Sequence, residues 1–225
     1  MFTHLDINFA ELETTYVDGN RYYPSPTTGN LYPSITSITS HYNRQVFKDW
    51  RAKVGDKEAD RVIKESTTRG TSFHKSAQDY LENKIVEHGS PEIEFMFDAA
   101  KPYLDKINNI HAIEKCLYSD VLGIAGRVDC IAEYEGELAI IDFKTSKKIK
   151  PEAWIQQYFV QEVAYACMYY EMTQNVVKKL ITIMVTPDGE TKVFDKRDKK
   201  MYIVLLKQYI DQFVHDKLKE YGSSK

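Results

Sequence analysis

The sequence contains few cysteines and no long apolar segment. Its three cysteines, Cys116, Cys130 and Cys167, are widely spaced and form no C-x-x-C pair. This spacing argues against a zinc site, an iron–sulfur cluster and a disulfide framework, and favours buried thiols in a reducing compartment. No apolar run approaches the roughly 20 residues that span a bilayer. We therefore expect a soluble protein with no membrane contact.

The chain also lacks an excess of positive charge and a targeting signal. Lys and Arg number 30 and Asp and Glu number 33, so the net charge is −3. A protein that coats nucleic acid through global positive charge is not expected, and any DNA contact must come from a local basic patch. The N-terminal segment is acidic and resembles neither a secretion signal nor a transit peptide, which predicts a cytoplasmic location.

The length and the residue pattern predict one domain over residues 1–225 with a 43% hydrophobic content. Residues 1–40 are rich in turn-forming residues and Tyr, which predicts a β-hairpin-like arm. Residues 41–110 are helix-prone and form a predicted helical layer. Within this layer the sequence predicts breaks near Gly55 and near Thr68-Arg69-Gly70, and a last helix over Pro91–Asn108.

Residues 111–225 are predicted to form an α/β core. Three strand-like runs lie between His111 and Phe143, and the short connection Tyr134–Glu137 predicts an antiparallel pair. A helix over Pro151–Thr173, two further strands and an amphipathic C-terminal helix follow. The fold class is therefore α/β, with a central mixed β-sheet flanked by helices and a helical N-terminal layer.

Two aspartates and a lysine stand out in residues 126–146, GRVDCIAEYEGELAIIDFKTS. Asp129 lies within one apolar run, and Asp142 ends the next, two residues before Lys144. A carboxylate in a buried strand needs a compensating partner, which a shared divalent cation would supply. Lys144 projects from the same strand face as Asp142, while the Phe143 side chain points into the core and leaves its carbonyl available as a ligand.

Phosphodiester hydrolysis needs charge neutralisation on the phosphate oxygens and an activated water. Carboxylate-bound Mg²⁺ or Mn²⁺ together with a lysine supplies both. A D-x-K triplet alone is weak evidence, because most such triplets are surface ion pairs. The apolar context on both strands favours the functional interpretation of this one.

Five features occur in an order that is typical of one nuclease family. They are Arg69–His74 opening a helix, Glu114 on the first strand, GRVD, DFKTS, and the Q-x-x-x-Y pair of Gln161 and Tyr165. Together they resemble the PD-(D/E)xK nuclease superfamily in its RecB-like branch, which implies a restriction-endonuclease-like core. The central stretch and its Q-x-V-A-Y helix are most similar to the mitochondrial genome maintenance exonuclease family and its phage counterparts.

This resemblance implies a metal-dependent DNA exonuclease that prefers single-stranded DNA with a free end and acts in DNA replication, recombination or repair, with proteins of those processes as partners. The sequence departs from that family in showing no import sequence, which predicts a bacterial or phage protein in the cytoplasm. The implied ligands of Mg²⁺ or Mn²⁺ are listed in chain order: His74, Glu114, Asp129, Asp142 and the Phe143 carbonyl. A histidine ligand favours Mn²⁺ somewhat, although a lone helix histidine is more often a structural residue, and Glu114 is equally compatible with a solvated strand position.

The remaining candidate residues have both functional and structural interpretations. Lys144 is predicted to position the attacking water, and Gln161 and Tyr165, one helical turn apart, to position the phosphate or a metal-bound water. Ordinary amphipathicity, with Tyr165 half-buried, is the structural alternative for this pair, and the functional interpretation is favoured. The predicted DNA contacts are Arg69, Lys147, Lys148 and Lys150, which would otherwise be a helix-terminal residue and a solvated loop.

Two other functions are compatible with the sequence. A structure-specific or restriction-type endonuclease would share the metal site, and a non-catalytic DNA-binding module would share the fold. The intact Asp129, Asp142 and Lys144 favour an enzyme over the second.

Overall fold

The computed structural model describes residues 1–223 of the chain. In chain order these residues form β1 (Thr15–Val17), β2 (Asn20–Pro24), β3 (Leu31–Pro33), α1 (Ile35–Tyr42), α2 (Arg44–Val54), α3 (Asp56–Leu81), α4 (Pro91–Leu104), β4 (Ile107–Ser119), β5 (Ile124–Tyr134), β6 (Glu137–Thr145), α5 (Gln156–Thr173), β7 (Lys179–Val185), β8 (Thr191–Lys196) and α6 (Lys200–Ser223). No helix within this range combines the length and the apolarity that crossing a bilayer requires.

The five strands β4 to β8 form one mixed sheet in the order β4-β5-β6-β7-β8. The β6–β7 pair is parallel and the other pairs are antiparallel. One face of the sheet packs against α5, α1 and α6, and the other packs against α3 and α4. The predicted fold class, a mixed central sheet flanked by helices, is therefore confirmed.

The turn between β5 and β6 fixes the register of the two strands that carry the aspartates. Tyr134 pairs with Glu137 across the turn, and the two residues between them, Glu135 and Gly136, have φ values of 53° and 78°. Two positive φ values are typical of the two-residue turn whose twist matches that of an antiparallel hairpin. The predicted antiparallel pair is confirmed.

The N-terminal arm differs from the predicted hairpin. Strands β1, β2 and β3 form a three-stranded antiparallel sheet, and the chain before them pairs with the main sheet, where the Leu5 N–H donates to the Ile110 carbonyl at 2.7 Å. The arm ends earlier than residue 40, because Ser34 caps α1 by accepting a hydrogen bond from the Thr36 N–H at 3.2 Å.

The predicted helix break near Thr68-Arg69-Gly70 is wrong. Helix α3 runs unbroken through 26 residues, whereas the predicted break at Gly55, with φ of 83°, is present. A glycine inside a helix costs only about 1 kcal/mol relative to alanine. The burial of Phe73, Ala77 and Leu81 in the core shared with α4 outweighs that cost.

The boundary between the helical layer and the α/β core also lies earlier than predicted. Helix α4 ends at Leu104 rather than at Asn108, and β4 begins at Ile107 rather than at His111. Ile107 and Ile110 are buried against the α3–α4 core, so tertiary packing selects the extended conformation for this segment.

Candidate active site

The two aspartates are brought together where β5 and β6 run side by side. The Phe143 N–H donates a hydrogen bond to Asp129 Oδ2 at 2.9 Å, which holds the Asp129 carboxylate beside the residue that follows Asp142. The Phe143 ring is buried, as predicted, and lies edge-on to the His74 ring at 6.1 Å. Three elements, α3, β5 and β6, therefore meet at this point.

The open half of the site consists of His74, Glu114 and Asp129. Each offers one ligand atom, and the three atoms lie within 4.8 Å of one another. His74 Nδ1 is 3.6 Å from Asp129 Oδ2. One nitrogen and two carboxylate oxygens at these separations fit a single divalent cation bonded at about 2.0–2.5 Å. All three side chains are partly exposed, which leaves room for a substrate phosphate or water.

Glu114 occupies an unusual backbone conformation. Its φ is 50° in the middle of β4, a left-handed conformation that costs a residue with a side chain roughly 1–3 kcal/mol. Burial and the nearby Asp129 carboxylate raise the Glu114 pKa. A cation between the two carboxylates would offset this repulsion.

The buried half of the site consists of Asp142, Lys144, Gln161 and Glu162. Lys144 Nζ lies 2.5 Å from Asp142 Oδ2, and Gln161 Nε2 donates to Asp142 Oδ1 at 3.1 Å. Burial raises the pKa of Asp142 to about 6, with Lys144 opposing the shift. Although burial opposes it, the attraction of Asp142 and Asp129 raises the pKa of Lys144.

Glu162 was missed by the sequence reasoning. The side chain is fully buried, one oxygen accepts a hydrogen bond from the Thr182 hydroxyl, and Oε2 has no hydrogen-bond partner among residues 1–223. Burial, reinforced by the charge of Asp142, raises the pKa of Glu162 well above its usual value. Thr182 pairs with Asp142 across β6 and β7. The available signal was an acidic residue directly before the apolar pair Val163-Ala164 in α5.

Tyr165 packs against the glycine of the GRVD motif. Its hydroxyl donates to the Arg127 main-chain carbonyl at 2.7 Å, and its side chain is 1% exposed. A Cβ atom at Gly126 would lie 2.9 Å from the Tyr165 ring, closer than side-chain packing allows. In this structure Tyr165 therefore holds β5 just before Asp129, whereas Gln161 contacts Asp142 directly.

The predicted basic residues lie at two places around the site. Arg69 lines a groove of about 700 Å³ between α3 and the start of α4, and its Nε has no hydrogen-bond partner among residues 1–223. Lys147 and Lys148 are exposed just beyond β6. Lys150 donates to the Tyr158 hydroxyl at 3.4 Å.

A second groove, of about 580 Å³, opens beside the buried half of the site. It runs between α1, α2 and α5 and reaches Gln161. Two cationic side chains, Arg44 and Lys48, and the half-exposed ring of Phe47 line it. Lys144 Nζ lies 5.1 Å from the centre of the neighbouring Tyr158 ring.

Comparison with known proteins identifies the family of this chain. The sequence model of the PD-(D/E)XK nuclease superfamily matches residues 91–221. The chain belongs to this superfamily. The matched segment includes Asp129, Asp142 and Lys144, whereas Arg69 and His74 precede it. Nucleases of this superfamily use divalent metals, in agreement with the donor set of the open half.

The curated relatives are exonucleases. Mitochondrial genome maintenance exonuclease 1 of Homo sapiens is 29% identical over 154 residues, which cover 62% of this chain and 44% of the relative. The Xenopus tropicalis protein of the same name is 32% identical over 88 residues, covering 37% of this chain and 25% of the relative. The chain thus spans less than half the length of these relatives.

A structural comparison matches a crystal structure of a candidate exonuclease from Eubacterium rectale with a TM-score of 0.45 and 12% identity, covering 83% of this chain and 67% of the other. The family match and the sequence relatives together make this chain a PD-(D/E)XK nuclease related to the genome maintenance exonucleases.

Proposed function

We propose that this nuclease is a divalent-metal-dependent exonuclease that degrades single-stranded DNA from a free end. The observation that carries the proposal is the convergence of His74, Glu114 and Asp129 beside the Asp142–Lys144 ion pair. A cation held by the three open-half residues would neutralise phosphate charge and lower the pKa of a bound water. Asp142 and the Phe143 carbonyl, next to Asp129, are the further ligands we propose.

Lys144 is proposed to orient the attacking water and to offset charge on the non-bridging phosphate oxygens. Its side chain is paired with Asp142 and remains 19% exposed, so it is held in place and partly accessible. Gln161 keeps Asp142 in place through the amide hydrogen bond. In-line attack on phosphorus would expel the 3′ oxygen and leave a 5′ phosphate, the outcome the family resemblance implies.

The preference for single strands is supported by the groove that reaches Gln161. Unpaired bases stack on aromatic side chains while cations follow the backbone, and this groove offers Phe47 together with Arg44 and Lys48. The Trp50 ring lies 5.5 Å from that of Phe47. We propose that the groove between α1, α2 and α5 forms one wall of the path to the site, and that Arg69, Lys147, Lys148 and Lys150 contact the DNA backbone.

Genome maintenance appears in the names of the curated relatives, which supports a role in DNA replication, recombination or repair. Either Mg²⁺ or Mn²⁺ fits the two carboxylates, and His74 favours Mn²⁺.

The test uses end-labelled single-stranded oligonucleotides and a closed single-stranded circle of the same composition. We expect the linear strand to be degraded with Mg²⁺ or Mn²⁺, the circle to stay intact, and EDTA to stop the reaction. Lys144→Ala should abolish cleavage but retain DNA binding, and Lys207→Ala, an exposed lysine on α6, is the matched control. Cleavage of the circle would establish the endonuclease alternative, and binding without cleavage would establish a non-catalytic module.

A further inference from the structure

A third groove, of about 490 Å³, lies along the outer side of α5 beyond the active site. We name it the α5–α6 groove. Four of its wall side chains are large, apolar and roughly half or more exposed: Val121, Tyr170, Val176 and Ile203. Exposed apolar side chains that line one concave groove, rather than lying scattered singly, make it a candidate binding surface.

The walls of the groove are held in place by main-chain hydrogen bonds. The Glu171 carboxylate accepts hydrogen bonds from the N–H groups of Asp120 and Val121 at 2.9 and 3.3 Å and from the Ser119 hydroxyl. At the end of α5, Gln174 adopts a left-handed conformation, and its N–H donates to the Tyr170 carbonyl at 2.8 Å. The groove is therefore preorganised, which lowers the entropic cost of binding.

Positive charge at the edge of the groove lacks a carboxylate partner. Lys199 is partly buried, and its Nζ donates to the carbonyls of Lys178 and Arg197 at 3.0 and 3.3 Å. Among residues 1–223, Lys199 forms no ion pair within 4.0 Å; the Asp198 carboxylate accepts from the Lys200 N–H instead. Burial and the charge of Lys178 lower the Lys199 pKa, so an incoming carboxylate would be favourable there.

We propose that the α5–α6 groove binds an acidic peptide segment of a partner protein, with an apolar side chain in the groove and a carboxylate at Lys199. The apolar walls do not suit a phosphate backbone. A second copy of this chain is disfavoured, because a symmetric contact would bring two sets of Lys178 and Lys199 together. The groove residues Val163, Cys167 and Tyr170 follow helical spacing on the side of α5 opposite to Gln161, so a bound peptide would tether the partner without blocking the active site.

The test measures fluorescence anisotropy of a labelled peptide of about ten residues, in which aspartates precede a C-terminal Leu-Phe pair. We expect saturable binding to the full chain that weakens with added salt. Lys199→Gln should weaken binding about tenfold or more, Ile203→Asp should abolish it, and Lys207→Gln should leave it unchanged. Circular dichroism checks folding, and cleavage by each variant should equal that of the wild type, which separates this groove from the proposed nuclease function.

Three results would overturn the proposal. The first is the absence of saturable binding up to about 1 mM peptide, which is the limit of weak recognition. The second is equal affinity for a peptide with lysines in place of the aspartates. The third is unchanged affinity in both groove variants. A concentration-dependent dimer in sedimentation velocity that Ile203→Asp dissociates would assign the groove to self-association instead.

Discussion

The open and buried halves of the active site differ in how their charges are stabilised. In the open half, Glu114 and Asp129 repel each other, and the Glu114 backbone is strained. In the buried half, Asp142 is held by Lys144 and Gln161. The open half therefore carries a carboxylate repulsion that a bound cation would relieve, whereas the buried half pairs its carboxylate with a lysine whose side chain stays 19% exposed.

The largest expected effect is a loss of cleavage activity. Measuring Mn²⁺ affinity in the same variants distinguishes metal binding from the role of Lys144. Asp129→Asn and Lys144→Met should each lower cleavage of single-stranded DNA by about 1,000-fold or more, because each removes transition-state charge stabilisation. Only Asp129→Asn should also weaken Mn²⁺ binding measured by calorimetry. If Lys144→Met loses Mn²⁺ binding to the same extent, the division into two halves is incorrect.

Substitutions at Asp142 and Lys144 should be strongly coupled in their effects on the free energy of unfolding of the protein. Lys144→Met leaves Asp142 buried without its cation and should destabilise the protein by about 3–5 kcal/mol. The double variant Asp142→Asn/Lys144→Met should lose less than Lys144→Met alone, because no uncompensated charge remains. Urea unfolding of the wild type, both single variants and the double variant measures the coupling, and additive losses would refute it.

The contact between Gly126 and the Tyr165 ring, which holds β5 near Asp129, can be tested by a substitution at Gly126. Gly126→Ala would place a methyl group against the Tyr165 ring and displace β5 next to Asp129. We expect a loss of about 1–3 kcal/mol from overpacking and weaker Mn²⁺ binding. Gly222→Ala, at a position with open space around it, is the control. A Gly126→Ala variant of wild-type stability would show that this contact relaxes freely.

Local sequence signals predicted the strands that carry Asp129, Asp142 and Lys144, because alternation and a two-residue turn fix the register. They did not predict that Gly126 and Tyr165 contact each other, since residues far apart in the chain are joined only by the packing of α5 on β5. The burial of Glu162 was not predicted either, since it depends on the packing of α5 against Thr182 on β7. The continuous α3 was not predicted because tertiary burial overrides the intrinsic preference of Gly70.

The smallest expected effect concerns Glu114, whose removal should stabilise the metal-free protein. Because the folded pKa of Glu114 is raised, its charge is destabilising at pH 8, and this contribution disappears as the pH falls below the ordinary value of 4.5. Glu114→Gln should therefore raise the melting temperature at pH 8 but not at pH 4. Glu114→Gly, which also relieves the left-handed backbone, should add about 1 kcal/mol.

Saturating Mn²⁺ should reverse that order of stability, because a cation that binds only the folded state stabilises it by an amount that grows with the logarithm of its affinity. Thermal unfolding at pH 8, with and without Mn²⁺, should show the wild type least stable among the three proteins in EDTA and most stable in the metal. If the wild type is already the most stable of the three proteins in EDTA, the Glu114 carboxylate does not destabilise the metal-free protein. The repulsion that distinguishes the open half from the buried half would then be refuted.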